Sequence, residues 1–141
     1  MTRLSPRLAE IVAALPLRPG MRIVEIGCGP GAAARAVAEL VGPRGHVLAV
    51  DRSERAISRV ESTAADLIAE GRMSTRLARA EELHLQPGED PYHLAFAVRV
   101  GVFDGRHPER RSVALARVHD ILFGDGSFFI DGGDPLREVR L

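Results

Sequence analysis

The chain has 141 residues, 45% of them hydrophobic and 27% charged, a size expected to form one domain with a real core and no room for a second. Nineteen basic residues, all arginine, balance nineteen acidic ones, so no global field recruits nucleic acid or an anionic membrane. The single cysteine, Cys28, excludes an internal disulfide and a cysteine-based zinc cluster within the chain; with no apolar run near the ~20 residues that span a bilayer and no secretory pattern at the N-terminus, the expectation is a soluble protein of the reducing cytoplasm.

Leu4, Leu8, Ile11, Val12 and Leu15 recur at helical spacing behind Ser5 and Pro6, which suit an N-cap and a first turn, and so predict an amphipathic helix. Pro16, Pro19 and Gly20 end it. A first strand is predicted at Arg22 to Ile26, a helix from beyond the next glycines to about Val41, and a second strand at His46 to Asp51. One helix is predicted over about 54–70, with Ile57, Val60, Ala64, Leu67 and Ile68 on one face and Gly71 as its C-cap.

A third strand follows at Ser74 to Ala78, then a polar irregular stretch, Glu81 to Pro91, read as a loop over the site. The fourth strand, His93 to Val98, is nearly continuously apolar, as befits a strand buried on both faces. A loop with Gly101, Asp104, Gly105, Arg106 and His107 passes through Pro108 into a helix reaching about Leu122. Gly124 and Gly126 then turn the chain into a fifth strand, Ser127 to Asp131, and no element is assigned to 132–141. This alternation predicts an α/β, Rossmann-like doubly wound sheet of about five parallel strands with helices on both faces and right-handed crossovers. Ligands on such sheets bind at the carboxyl ends of the strands, near the point where strand order reverses.

The stretch that organises the chain is Val24 to Ala32, VEIGCGPGA. An apolar run stops at Gly27, Gly29 and Gly31, and an alanine-rich helix begins directly afterwards. Glycines here let a ligand approach the backbone, and the helix aims unpaired N–H groups at the same spot. Asp51 ends the second strand about 20 residues further on, where nucleoside-binding βαβ units keep an acid for ribose hydroxyls.

Gly27, Gly29 and Ala32 also satisfy the dinucleotide fingerprint. Two neighbours weigh against a pyrophosphate: Pro30 withdraws a donor, and Glu25 brings a carboxylate near the place the phosphates would lie. At ~5 Å and an effective dielectric near 20, like charges cost about 3 kcal/mol, roughly a hundredfold in affinity. The same carboxylate favours an ammonium, and S-adenosylmethionine carries an adenosine, an ammonium, a carboxylate and a sulfonium but no phosphate.

VEIGCGPGAAARAVAELVGPRGHVLAVDRS resembles the first two motifs of class I S-adenosylmethionine-dependent methyltransferases, and the similarity continues through AEEL at Ala80 to Leu83, LAFAVRV at Leu94 to Val100, and GDGSFFIDGG at Gly124 to Gly133. The resemblance implies strand order 3-2-1-4-5 and a set of contacts. Gly27, Gly29 and Gly31 would line the methionine part of the cofactor, Glu25 would approach its ammonium directly or through water, and Asp51 would accept both ribose hydroxyls. Arg52 would border the adenine, Ala80 and Glu81 would take its other side, and Ala97 would face the sulfonium.

Three departures from the family pattern stand out. Arg79 occupies a place where an acid often receives the adenine amino group, His93 replaces an acid often found at the start of strand four, and the chain stops short of the usual C-terminal strand pair. A bare fifth strand invites cover, so the tail or a second subunit is expected to protect Phe128 to Ile130.

Methyl transfer from a sulfonium needs alignment above all; if a base is used, the candidates are Asp104 and His107 in the loop after strand four. Arg99 and Arg106 flank the expected acceptor pocket, where an arginine orients an anion. No metal ligand set is evident, and Cys28 has no partner that would make it a nucleophile. The sequence therefore reads as a methyltransferase acting on a small-molecule acceptor, with an NAD-dependent oxidoreductase or a non-catalytic cofactor-binding module as the alternatives.

Overall fold

The computed structural model describes residues 4–141. Six strands, β1 (Arg22–Ile26), β2 (His46–Asp51), β3 (Met73–Leu77), β4 (Tyr92–Ala97), β5 (Leu122–Asp131) and β6 (Leu136–Val139), form one sheet in the order β3-β2-β1-β4-β5-β6. The first five are parallel in the expected order 3-2-1-4-5, and β6 runs antiparallel to β5.

Side-chain alternation splits the core in two. On one face Ile23, Val47, Ala49, Leu94 and Phe96 pack under the helices α1 (Pro6–Ala14), α2 (Ala32–Val41) and α3 (Glu54–Thr63). On the other, Val24, Ile26, Leu48, Ala95 and Phe128 pack under α5 (Pro108–Ile121) and the short 3₁₀ helix Ala80–Glu82. The helices begin where local chemistry supplies caps. Ser5 Oγ accepts the Leu8 N–H at 3.2 Å with Pro6 opening α1, and Ser53 Oγ accepts the Ala56 N–H at 3.2 Å at the start of α3. Among the described residues no helix is long and apolar enough to cross a membrane.

Four expectations are corrected. The single helix over 54–70 is broken into α3 and α4 (Ala65–Ala69), because Thr63 Oγ1 bonds back to the Arg59 carbonyl at 2.9 Å and Ala64 leaves helical geometry with ψ 24°. The apolar stripe continues across the break, which is why periodicity misses it. The fifth strand starts at Leu122, not Ser127, since the predicted Gly124 to Gly126 turn is an irregularity inside it: Tyr92 pairs with Leu122 but Leu94 with Ser127. The tail given no element contains β6, which pairs Val139 with Phe128 and Glu138 with Phe129, so the chain covers its own fifth strand.

Only the start of the 81–91 stretch reaches the carboxyl ends of the strands. The rest descends to the other end of the sheet, where Arg22 donates to the Pro91 and Asp90 carbonyls at 3.1 Å and its guanidinium lies 4.5 Å from the Tyr92 ring centroid. There His93 Nδ1 accepts the Arg22 backbone N–H at 2.9 Å, a structural use for the residue that replaces the family acid.

Candidate functional site

At the carboxyl ends of β1, β2 and β4 lies a cleft of about 310 Å³, bounded by the glycine turn, the 3₁₀ helix and the 99–110 segment. The turn is fixed from below: the Gly27 and Cys28 N–H groups both donate to the Val50 carbonyl, at 2.8 and 2.9 Å. Gly27 and Gly29 are left-handed, with φ of 75° and 54°. A Cβ on Gly27 would meet Val100 Cγ2 at 2.6 Å, whereas one on Gly29 would meet nothing within 4 Å. The bare face of Gly29 is thus the open floor of the turn.

Asp51 lines the cleft and ties its two sides together, Oδ2 accepting the Gly29 N–H and Oδ1 the Ser53 N–H, each at 2.9 Å. A carboxylate has about four lone-pair sites, so two acceptor positions remain for a ligand.

Glu25 occupies the other face of the sheet. It is in register with Ala49 and Phe96, which belong to the α1–α2–α3 core, and is only 3% exposed. The Ala34 N–H in the first turn of α2 offers it a bond, yet Oε1 has no partner among the described residues. Burial pushes its carboxyl well above the usual range, and the Asp51 charge pushes the same way. The neighbouring Cys28 thiol is likewise raised by burial and then by the Glu25 and Asp51 charges, the opposite of an activated nucleophile.

Of the residues singled out from the sequence, Gly27, Asp51, Arg52, Ala80, Glu81 and His107 line the cleft. Gly29 and Gly31 do not: Gly29 has open space before it beside the lining, and a Cβ on Gly31 would meet Val60 Cγ2 at 2.9 Å, so Gly31 serves the contact of the turn with α3. Ala97 ends β4, paired with Ile26 and Ile130 and 1% exposed, inside the sheet beneath the cleft.

Asp104 lies off the lining, clamped by Arg106, whose Nε reaches its two oxygens at 2.9 and 3.0 Å and whose other guanidinium nitrogen is 2.8 Å away. That pairing holds the Asp104 carboxyl below the ordinary carboxylate range. His107 has one acidic neighbour, Glu109 at 3.9 Å, and no hydrogen bond that would orient its ring among the described residues.

Sequence reasoning missed Arg110 on the lining, which reaches Glu81 at 3.5 Å and so bridges α5 to the 3₁₀ helix. It also missed the backbone of Arg99, left-handed at φ 58°. For an arginine this costs about 1–2 kcal/mol, and it is held by the Asp131 carboxylate on its N–H and the Arg106 guanidinium on its carbonyl, both at 3.1 Å. Neither carries a sequence signal, because exposed residues have no periodicity.

A family model described as a methyltransferase domain matches residues 23–126. A protein-L-isoaspartate O-methyltransferase of Methanothermobacter thermautotrophicus is 42% identical over 65 residues, covering 43% of this chain and 30% of that protein. The chain therefore matches less than a third of the length of such curated relatives, from 18% to 30%. In fold it is similar to an S-adenosylmethionine-dependent O-methyltransferase of Thermotoga maritima, with a TM-score of 0.68, 22% identity and coverage of 92% of this chain and 45% of that one. It is also similar to phosphoethanolamine N-methyltransferase 1 of Haemonchus contortus, solved with phosphoethanolamine and S-adenosylhomocysteine, with a TM-score of 0.71, 21% identity and coverage of 92% and 26%. With its family model matched over most of its length and the strand order of these neighbours reproduced, the chain belongs to the methyltransferase domain family, in its class I, S-adenosylmethionine-dependent form.

Proposed function

We propose that residues 1–141 form a single domain that binds S-adenosylmethionine in this cleft and transfers its methyl group to a small-molecule acceptor. The observation that carries the reading is Asp51: a cleft-lining carboxylate, anchored to the bare Gly29, with acceptor sites left over for ribose hydroxyls. The buried, unpartnered Oε1 of Glu25 fits the same ligand, since an ammonium lying on the turn supplies the counter-charge that this atom lacks. When bound, the cofactor supplies a methyl group on a positively charged sulfur.

The chain's own part is placement. Gly27 and Gly29 give the methionine portion room, Arg52, Ala80 and Glu81 border the adenine, and the 99–110 segment closes the acceptor side. Aligning nucleophile and methyl contributes a large share of such a rate without a proton transfer.

Calorimetric titration with S-adenosylhomocysteine and, separately, with NAD tests this. We expect binding of the first and none of the second, with Asp51→Ala weakening S-adenosylhomocysteine by about 2 kcal/mol through loss of charged hydrogen bonds. Tight NAD binding without a response to S-adenosylhomocysteine would make the domain a dinucleotide binder. Cofactor binding with no turnover over a broad acceptor panel would make it a binding module.

A further inference from the structure

We infer that the acceptor is a small carboxylic acid, held by the Arg99 guanidinium and methylated on its carboxylate oxygen. The inference rests on the methyltransferase reading and deepens it. Arg52, Arg79, Arg99, Arg106 and Arg110 line the cleft against only two carboxylates, Asp51 and Glu81, in a chain whose net charge is zero. S-adenosylmethionine, with two cationic groups and one carboxylate, adds a further positive charge. A neutral acceptor leaves that excess uncompensated, and a carboxylate offsets it.

The arginines are not equivalent. Arg106 is spent on Asp104, and Arg110 is shared between Glu81 at 3.5 Å and Glu109 at 3.7 Å. The guanidinium groups of Arg52, Arg79 and Arg99 make no ion pair or hydrogen bond among the described residues; Arg52 and Arg79 lie on the side of the cleft given to the adenine, and Arg99 differs from both in a backbone pinned on both sides in a conformation that arginine rarely adopts. Strain of this kind persists where surrounding structure over-determines a position and clusters at ligand sites. The result is a planar fork, matched to a carboxylate, presented at the acceptor end of the cleft.

The same loop lacks a working base. Asp104 is locked in its ion pair, and His107 has only Glu109 at 3.9 Å and no hydrogen bond to its ring among the described residues. A carboxylate needs neither. One of its oxygen lone pairs forms the O–CH₃ bond while the S–CH₃ bond breaks with its electron pair going to sulfur. The products are a methyl ester and a neutral thioether; one negative and one positive charge disappear together, and no proton moves.

The test uses the S-adenosylhomocysteine-loaded protein, titrated calorimetrically with acetate and phenylacetate, with their amides, and with a short peptide bearing a free aspartyl side chain. We expect phenylacetate to bind at least tenfold tighter than phenylacetamide, with an advantage that shrinks at high salt. Arg99→Gly should lose at least tenfold in phenylacetate affinity. It should keep S-adenosylhomocysteine binding within twofold and melt no lower than the parent, because glycine relieves the left-handed backbone. With S-adenosylmethionine, the transferred label should appear as a base-labile ester that releases methanol.

No binding of S-adenosylhomocysteine overturns the methyltransferase reading and this inference with it. Binding of S-adenosylhomocysteine together with equal affinity for acid and amide, or with an Arg99→Gly variant that keeps its phenylacetate affinity, overturns this inference alone. Tighter binding of the peptide than of phenylacetate overturns the small-acid assignment.

Discussion

Glu25 illustrates how one residue couples stability, charge and ligand. Its carboxyl is raised above the unbound value of 4.5 by burial, so the folded state keeps a proton that the unfolded chain releases. Stability from that proton is fully present below about 4.5 and is lost as pH rises through the folded value. Glu25→Gln removes the dependence. We expect urea denaturation to show the variant gaining on the parent by about 1 kcal/mol or more between pH 5 and 8, since burying an ionisable group without a full set of partners costs that much. Occupation of the turn by an ammonium would draw the carboxyl back to its ionised form, so S-adenosylhomocysteine binding should release a proton. Titration heats in phosphate and Tris should then differ for the parent and converge for Glu25→Gln. From the sequence the acid is expected beside an ammonium. Its position on the face of the sheet away from the cleft lining follows only from strand register, because Ile23, Glu25 and their partners Ala49 and Phe96 share one side. Of Arg99 the sequence predicts only a charge flanking the expected acceptor pocket; its backbone conformation depends on Asp131, far along the chain.

Within the glycine turn, three residues that look alike divide the labour. Gly31, left-handed at φ 91° and 2.9 Å from Val60 Cγ2 once a Cβ is added, serves packing. Gly29, left-handed with open space before it, is free of packing and is the one the proposed function assigns to the ligand. Gly31→Ala should therefore cost about 2–3 kcal/mol in denaturation experiments. Gly29→Ala should cost only about 1 kcal/mol, the left-handed penalty alone, while S-adenosylhomocysteine affinity drops at least tenfold. Equal losses of stability at the two positions would show that the division is wrong. The strand–turn–helix pattern is plain from residue types, but which glycine faces what depends on Val60 and Val100, brought in by other elements. The short β6 left no readable pattern for a different reason: Leu136 and Val139 bracket Arg137 and Glu138, and four residues after Gly132, Gly133 and Pro135 hold too few alternations to distinguish a strand from a loop.

At the scale of the molecule, the parallel α/β sheet was legible because β1, β2 and β4 are short, mostly apolar runs set off by glycine and proline, whereas its order 3-2-1-4-5 is what the resemblance to class I methyltransferases implies. The closing of the fifth strand by the chain's own tail makes a direct prediction. Removal of 134–141 strips Val139 from Phe128 and bares the backbone of β5. Loss of that burial should cost about 2 kcal/mol, and light scattering should show a greater mean mass than for the full chain at the same concentration.

The central strand also has a history written into its partners. β1 joins β2 about 24 residues downstream, yet its other flank waits for Leu94 to Ala97, some 70 residues later. On a ribosome, a nascent chain that has not yet delivered those residues holds the strand beneath its cofactor turn with one side unzipped and sticky. Only when Leu94 to Ala97 have emerged can that flank close, and only when 99–110 has followed is the rim of the cleft complete.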